Sequence, residues 1–128
     1  DNQWMMHSEN QWDKEWKTGK WEYLEAVPAE RARVAVIGAL MVQRFAPNNG
    51  SVLDVGCGEG AIADFLTPAQ RAMYVGVDLS KEAIQIAKKK RGSPMRFVHA
   101  AAHRFQPNHK FDAIVFSDVL YYTEYEKV

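Results

Sequence analysis

Residues 52–66 read VLDVGCGEGAIADFL, an apolar run that passes through glycines at 56, 58 and 60 into a helical pattern. Val52, Leu53 and Val55 suit a strand buried on both faces, which is the habit of parallel sheets covered by other elements. Gly56, Gly58 and Gly60 let the chain turn sharply and bring bare backbone close to a ligand. A helix starting directly after such a turn presents free N–H groups and a positive end, ready for an anionic or strongly polar group. The stretch therefore commits the chain to alternating strands and helices and marks the turn as a binding surface.

The rest of the sequence keeps that alternation. SVLDVG (51–56) and MYVGVDL (73–79) read as strands, followed by helices over AIADFL (61–66) and SKEAIQIAKKKRG (80–92). In the second helix Ser80 is an N-cap, Ala83, Ile84 and Ala87 form the inner stripe, and Gly92 is the stop. MRFVHA (95–100) and FDAIVFS (111–117) are a third and a fourth strand. A further helix begins at Pro28, with Val34, Ile37, Leu40, Met41 and Phe45 recurring at threes and fours as its inner face. The fold class is α/β, a Rossmann-like doubly wound parallel sheet flanked by helices. Right-handed crossovers place strands two and three on one side of strand one and strand four on the other. Ligands then gather at the carboxyl ends of strands one, two and four, where Asp54, Asp78 and Ser117-Asp118 fall.

Residues 1–27 form an aromatic-rich segment ahead of the domain at 28–128. All four tryptophans lie in it, at 4, 12, 16 and 21. Trp12 and Trp16 share a helical face until KTG at 17–19 breaks the helix. The segment is either a lid, with Trp21 or Tyr23 closing on the ligand, or aromatic packing on the sheet.

Composition narrows the partners. The 128 residues are 47% hydrophobic with a formal net charge of zero, which suits one soluble domain and argues against a large nucleic acid as partner. KKKR at 88–91 reads as a solvated last turn facing the helix dipole. One cysteine, Cys57, forms no internal disulfide, pointing to a reducing, cytoplasmic setting. No apolar run approaches the roughly 20 residues that span a bilayer, and DNQWMMHSEN is no signal peptide. With Asp rather than Met at position 1, a trimmed or excised chain is expected. His99 and His103 lack metal-ligand spacing, so no metal is expected.

Two ligand classes use a turn of this shape. Gly56, Gly58 and Ala61 satisfy the dinucleotide pattern, and Asp78 stands where a ribose-binding acid belongs. Asp54 tips the balance. At about 5 Å and an effective dielectric near 20, its charge would repel a pyrophosphate by roughly 3 kcal/mol. S-adenosylmethionine carries a sulfonium and an ammonium instead, which a carboxylate attracts. The competing structural roles are bracing of the turn by Asp54 and capping near Ser80 by Asp78.

VLDVGCGEG, GVDLS, FVHAAAHRF and FDAIVFSDVLYY, in that order, resemble the first half of a class I S-adenosylmethionine-dependent methyltransferase, over roughly residues 50–125. The resemblance implies a cofactor site in which Gly56, Cys57, Gly58 and Gly60 form the turn along the methionine portion, with Asp54 nearby. It gives the ribose hydroxyls to Asp78, one adenine face to Leu79, the adenine edge to Ala101 and Ala102, and a carbonyl near the ammonium to Ser117. Ala101 stands where many members have Asp, and Tyr122 where many have His. Asp118 and Tyr122, with Tyr121 beside them, are the residues expected to touch the acceptor. A tyrosine at the ordinary pKa of roughly 10 is a poor general base, so alignment rather than proton removal carries the reaction. The family usually has seven strands and this chain has room for about four, so a missing C-terminal half or a dimer partner is expected to cover the fourth. The acceptor implied is a small molecule methylated on O or N, and SDVLYY resembles sugar-modifying members such as the nodulation N-methyltransferases. A nicotinamide-dependent oxidoreductase domain and a non-catalytic cofactor-binding half-domain are the alternatives.

Overall fold

The computed structural model describes residues 8–47 and 50–116. Four parallel strands form one sheet: β1 (Val52–Val55), β2 (Tyr74–Asp78), β3 (Arg96–His99) and β4 (Ala113–Phe116), in the order β3-β2-β1-β4. This is the order that right-handed crossovers require, with helices flanking the sheet as a Rossmann-like fold demands. β1 pairs with both β2 and β4, so Asp54 lies level with Gly76 on one side and Val115 on the other.

The helices pack on the face that carries Val52, Tyr74, Phe97 and Ala113. α3 (Pro28–Ala35) runs through a π-helical stretch (Val36–Met41) into α4 (Val42–Phe45) and lays Val34 and Val42 on the sheet. α6 (Lys81–Lys90) adds Ile84 and Ala87. On the opposite face Leu53, Val55, Val75 and Val77 lie beneath Val98, Ala100, Ala102, Phe105 and Phe111.

Three expectations change. The inner face of the 28–45 helix is Val34, Gly38 and Val42, whereas Leu40, Met41 and Phe45 are exposed. The cause is the π-helical stretch, in which the Val42 N–H reaches back to the Ile37 carbonyl. A wider turn rotates the following residues away from the phase that a 3.6-residue period assigns. Gly38 sits where a Cβ would come within 2.7 Å of Phe65.

The segment after the glycine turn is a five-residue 3-10 helix (Ala61–Phe65), not a full α-helix. Thr67 and Pro68 end it, because a residue before proline is driven to extended backbone and Thr67 caps a new helix, α5 (Pro68–Ala72). Lastly, KKKR is not wholly solvated, since the Arg91 side chain is only 7% exposed. α6 otherwise begins and ends as its sequence dictates. Ser80 Oγ accepts from the Ala83 N–H at 3.1 Å, and Gly92 takes a left-handed φ of 57°.

Candidate functional site

The glycine turn is strapped to the end of β2. The N–H groups of Gly56 and Cys57 donate to the Val77 carbonyl at 2.7 and 3.1 Å, and Gly58 N–H donates to Asp78 Oδ2 at 2.8 Å. Gly56, Gly58 and Gly60 have φ of 73°, 56° and 80°, a region open to glycine at little cost. Asp78 Oδ1 accepts from the Ser80 N–H at 2.8 Å, so this one carboxyl group holds the turn and the start of α6 together. Burial pushes its pKa up against the pull of those two hydrogen bonds. Each carboxylate oxygen has room for a second donor, so Asp78 keeps acceptor capacity for a ligand hydroxyl.

Asp54 is 1% exposed and lies behind the turn. Its Oδ2 accepts from the Tyr74 hydroxyl at 2.7 Å, and its Oδ1 has no partner among the described residues. Gly76 makes the arrangement fit, because a Cβ there would meet Cys57 Sγ at 2.8 Å and the Tyr74 hydroxyl at 2.9 Å. Burial pushes the Asp54 pKa up to about 7; Tyr74 pulls it down and the charge of Asp78 adds to the rise. A carboxyl with that pKa is only partly ionised at neutral pH, so it repels a pyrophosphate less than a full charge would. Cys57, with its thiol pushed up by burial and then by Asp54 and Asp78, stays protonated and is no nucleophile.

The N-terminal segment crosses the outer side of the turn. α1 (Glu9–Lys17) brings Trp16 onto Gly58, where an added Cβ would lie 2.7 Å from the indole. Asp13 Oδ1 accepts from Ser80 Oγ at 2.6 Å and from the Glu82 N–H at 3.1 Å, fastening α1 to the first turn of α6. Glu9 Oε1 lies 2.8 Å from His99 Nε2, which is 3.0 Å from the Leu79 carbonyl. Trp21 packs beside Trp12, Trp16 and Tyr23 at ring-centre distances of 5.7, 6.4 and 6.0 Å. Trp16, rather than Trp21 or Tyr23, is thus the ring on the turn.

The structure brings Asp54, Gly56, Cys57, Gly58 and Asp78 together at the ends of β1 and β2. Leu79 and Ala101 follow at the ends of β2 and β3, which the Ala100 N–H ties to the Asp78 carbonyl at 3.0 Å. Ala101 caps a short 3-10 helix (Ala102–Arg104). Gly60 faces inward, its Cβ position 2.6 Å from the Phe97 ring. Ser117, Asp118, Tyr121 and Tyr122 lie outside the described residues. Asp13 and Trp16 escape a reading of the sequence because their partners are more than forty positions away. Their spacing of three along α1 is the only local sign that they share a face. Among the described residues no cluster of His, Cys, Asp and Glu has the makings of a metal site, and no helix is long and apolar enough to cross a membrane.

A strand order reversing beside a glycine turn, with an acid closing the next strand, defines an open α/β domain of the Rossmann-like type. The chain belongs to the methyltransferase-domain family, whose model matches residues 52–128. Among solved structures it is similar to the N-methyltransferase NodS of Bradyrhizobium japonicum WM9 in complex with S-adenosyl-L-homocysteine. The two are 27% identical with a TM-score of 0.62, over 84% of this chain and 54% of that one. DesVI of Streptomyces venezuelae is 26% identical with a TM-score of 0.60, over 78% of this chain and 42% of that one. The sugar N-methyltransferase KedS8 of a Streptoalloteichus species is 25% identical with a TM-score of 0.58, over 72% and 36%. The chain thus spans from about a third to about half the length of these proteins. No curated protein matches it.

Proposed function

We propose that the chain is the S-adenosylmethionine-binding part of a class I methyltransferase that acts on an oxygen or nitrogen of a small-molecule acceptor. The observation that carries this reading is Asp78 beside bare glycine backbone. Its oxygens spend one acceptor position each on Gly58 and Ser80 and keep the others for a pair of neighbouring hydroxyls. The bound cofactor supplies a methyl group already activated on a sulfonium. The protein's work is to hold and align it.

Gly56, Cys57 and Gly58 offer backbone to the methionine portion, with Gly60 completing the turn. Asp78 takes the ribose, Leu79 the adenine face, and Ala101 and Ala102 its edge. Asp54 braces the turn from behind through Tyr74 and adds negative charge when ionised. Trp16 and Asp13 make α1 the outer wall, so the segment 1–27 serves as a cover on the site. Ser117 near the ammonium, and Asp118 and Tyr122 toward the acceptor, complete the reading. The names of NodS and KedS8 support an amine on a sugar-like acceptor. The unpaired Cys57 is in keeping with the cytoplasm. β4, at the sheet edge among the described residues, is where further chain or a second copy joins.

A dinucleotide fits less well. Pyrophosphate binding relies on a helix N-terminus, and the five-residue 3-10 helix supplies almost none of that dipole. The arginine that touches the turn, Arg91, does so at the Glu59 carbonyl, with its guanidinium already engaged by Asp64 and Glu25. Calorimetry decides between them: S-adenosylhomocysteine should bind and NADH should not. Asp78→Ala should weaken the former by roughly 1.5 to 3 kcal/mol, the worth of hydrogen bonds to a charged group. Binding of NADH in place of S-adenosylhomocysteine would overturn the reading. Methyl transfer to an amino-sugar pool then separates an enzyme from a binding module.

A further inference from the structure

Beneath the glycine turn lies a cluster of six charged side chains drawn from five parts of the chain. Arg91, just past the end of α6, donates through Nη1 to the Glu59 carbonyl at 2.8 Å. Its Nε and Nη2 donate to the two oxygens of Asp64 at 3.1 and 2.8 Å, and Nη2 also meets Glu25 Oε1. Lys90 Nζ bridges Glu59 Oε2 at 2.7 Å and Glu25 Oε2 at 3.2 Å. Arg31 adds a contact to Asp64 at 3.0 Å, and a cleft of about 400 Å³ opens between Glu25, Arg31, Asp64, Lys90 and Arg91. Three cations face three carboxylates, so the cluster is balanced and offers no net charge to an ionic ligand.

Its placement gives it another use. Glu59 belongs to the glycine turn and is 6% exposed, while Glu25 belongs to α2 (Tyr23–Ala26) of the N-terminal segment. The Arg91 fork therefore grips the turn by a main-chain carbonyl and the N-terminal segment by a carboxylate at once. A planar guanidinium can serve these acceptors together in a way that an ammonium cannot. The Arg91 stem also lies 3.4 Å from the Cβ position of Gly60, so a shift of the guanidinium is felt along the turn.

We infer that Arg91 and Glu25 are positioning residues for the cofactor turn: their pairing sets the Glu59 carbonyl and couples seating of the N-terminal segment to cofactor affinity. The inference rests on the glycine turn being the cofactor surface. Such coupling is reciprocal, and at ordinary magnitudes it is worth about 5-fold to 150-fold in affinity.

The test uses the whole chain, with Glu25→Gln as the mild variant and Arg91→Lys as the one that keeps charge but loses the fork. S-adenosylhomocysteine affinity is measured by calorimetry, and amide hydrogen exchange is read at Gly58 and Gly60 against Val75 and Val77 of β2. Each variant should bind about tenfold more weakly, toward the lower end of that range. The turn amides should exchange faster while the β2 amides keep their protection. A wild-type chain that binds S-adenosylhomocysteine with variants of unchanged affinity would overturn the coupling and leave the cofactor reading standing. Equal loosening of turn and strand would overturn it too, as a general loss of stability. A wild-type chain with no affinity for S-adenosylhomocysteine would bring down both readings.

Discussion

Asp54 puts a carboxyl group in the core with one oxygen bonded to Tyr74 and the other without a partner among the described residues. Its folded pKa of about 7, raised first by burial, lies above the unfolded value near 3.8. The folded state therefore holds a proton that the unfolded chain has released between those values. The stability this contributes is complete below the unfolded pKa and is lost as pH rises through about 7. At full ionisation the loss is on the order of 4 kcal/mol. Asp54→Asn keeps an acceptor for Tyr74 and never ionises. In urea unfolding from pH 5 to pH 8, the variant's stability relative to wild type should climb with pH toward that limit. Glu25 and Asp64 slope the other way, since their pKa values are lowered: burial opposes this, but hydrogen bonds from Arg91 and its neighbours outweigh it. They are common to both proteins and cancel in the comparison. A difference that stays flat with pH would show that Asp54 does not titrate in this range.

At the scale of elements, the decisive contact is between α1 and α6. The Ser80 hydroxyl accepts from Ala83 N–H and donates to Asp13, so one side chain caps its own helix and docks another. Asp13 is pulled below the usual carboxylate range by bonds from Ser80 and Glu82 that overcome its burial. Asp13→Ala should cost about 1 kcal/mol, as loss of a helix-capping oxygen does, and should free α1 from α6. Acrylamide should then quench tryptophan fluorescence more strongly while the far-ultraviolet signal of the sheet persists; unchanged quenching would show that α1 is held by other contacts. This division matches what could be read from the sequence. The strands, the Ser80 cap and the Gly92 stop are local chemistry and stand where their residues place them. The short helix after the turn was legible too, in Thr67-Pro68, but the apolar period of 61–66 masks it. Trp16 on Gly58 and Arg91 on Glu25 were not legible, because no period or motif links positions 42 or 66 residues apart. Leu40, Met41 and Phe45 mislead for a third reason: a π-helical stretch changes the phase on which the stripe was counted.

Over the whole molecule, apolar surface collects at one edge of the sheet. β4 pairs only with β1 among the described residues, and Ile114 and Phe116 lie level with Leu53 and Val55 on the same face. Leu53 and Val55 are buried, yet Ile114 and Phe116 are 55% and 49% exposed. On the helical side α4 touches β4, and Phe45 at its end is 67% exposed. A strand edge with unpaired backbone groups and apolar side chains beside it is a template for another strand. This chain covers only 36% to 54% of the solved relatives, so they carry chain that this one does not match. The 128-residue chain by itself should therefore associate, with a sedimentation coefficient that rises with concentration across the micromolar range. Ile114→Lys with Phe116→Lys places two like charges along the edge, where pairing of a second copy would bury them. That double variant should sediment as a monomer at every concentration and still bind S-adenosylhomocysteine, because the turn and Asp78 lie on the other side of β1. A wild-type chain that stays monomeric throughout would mean that this edge is already covered by residues of its own.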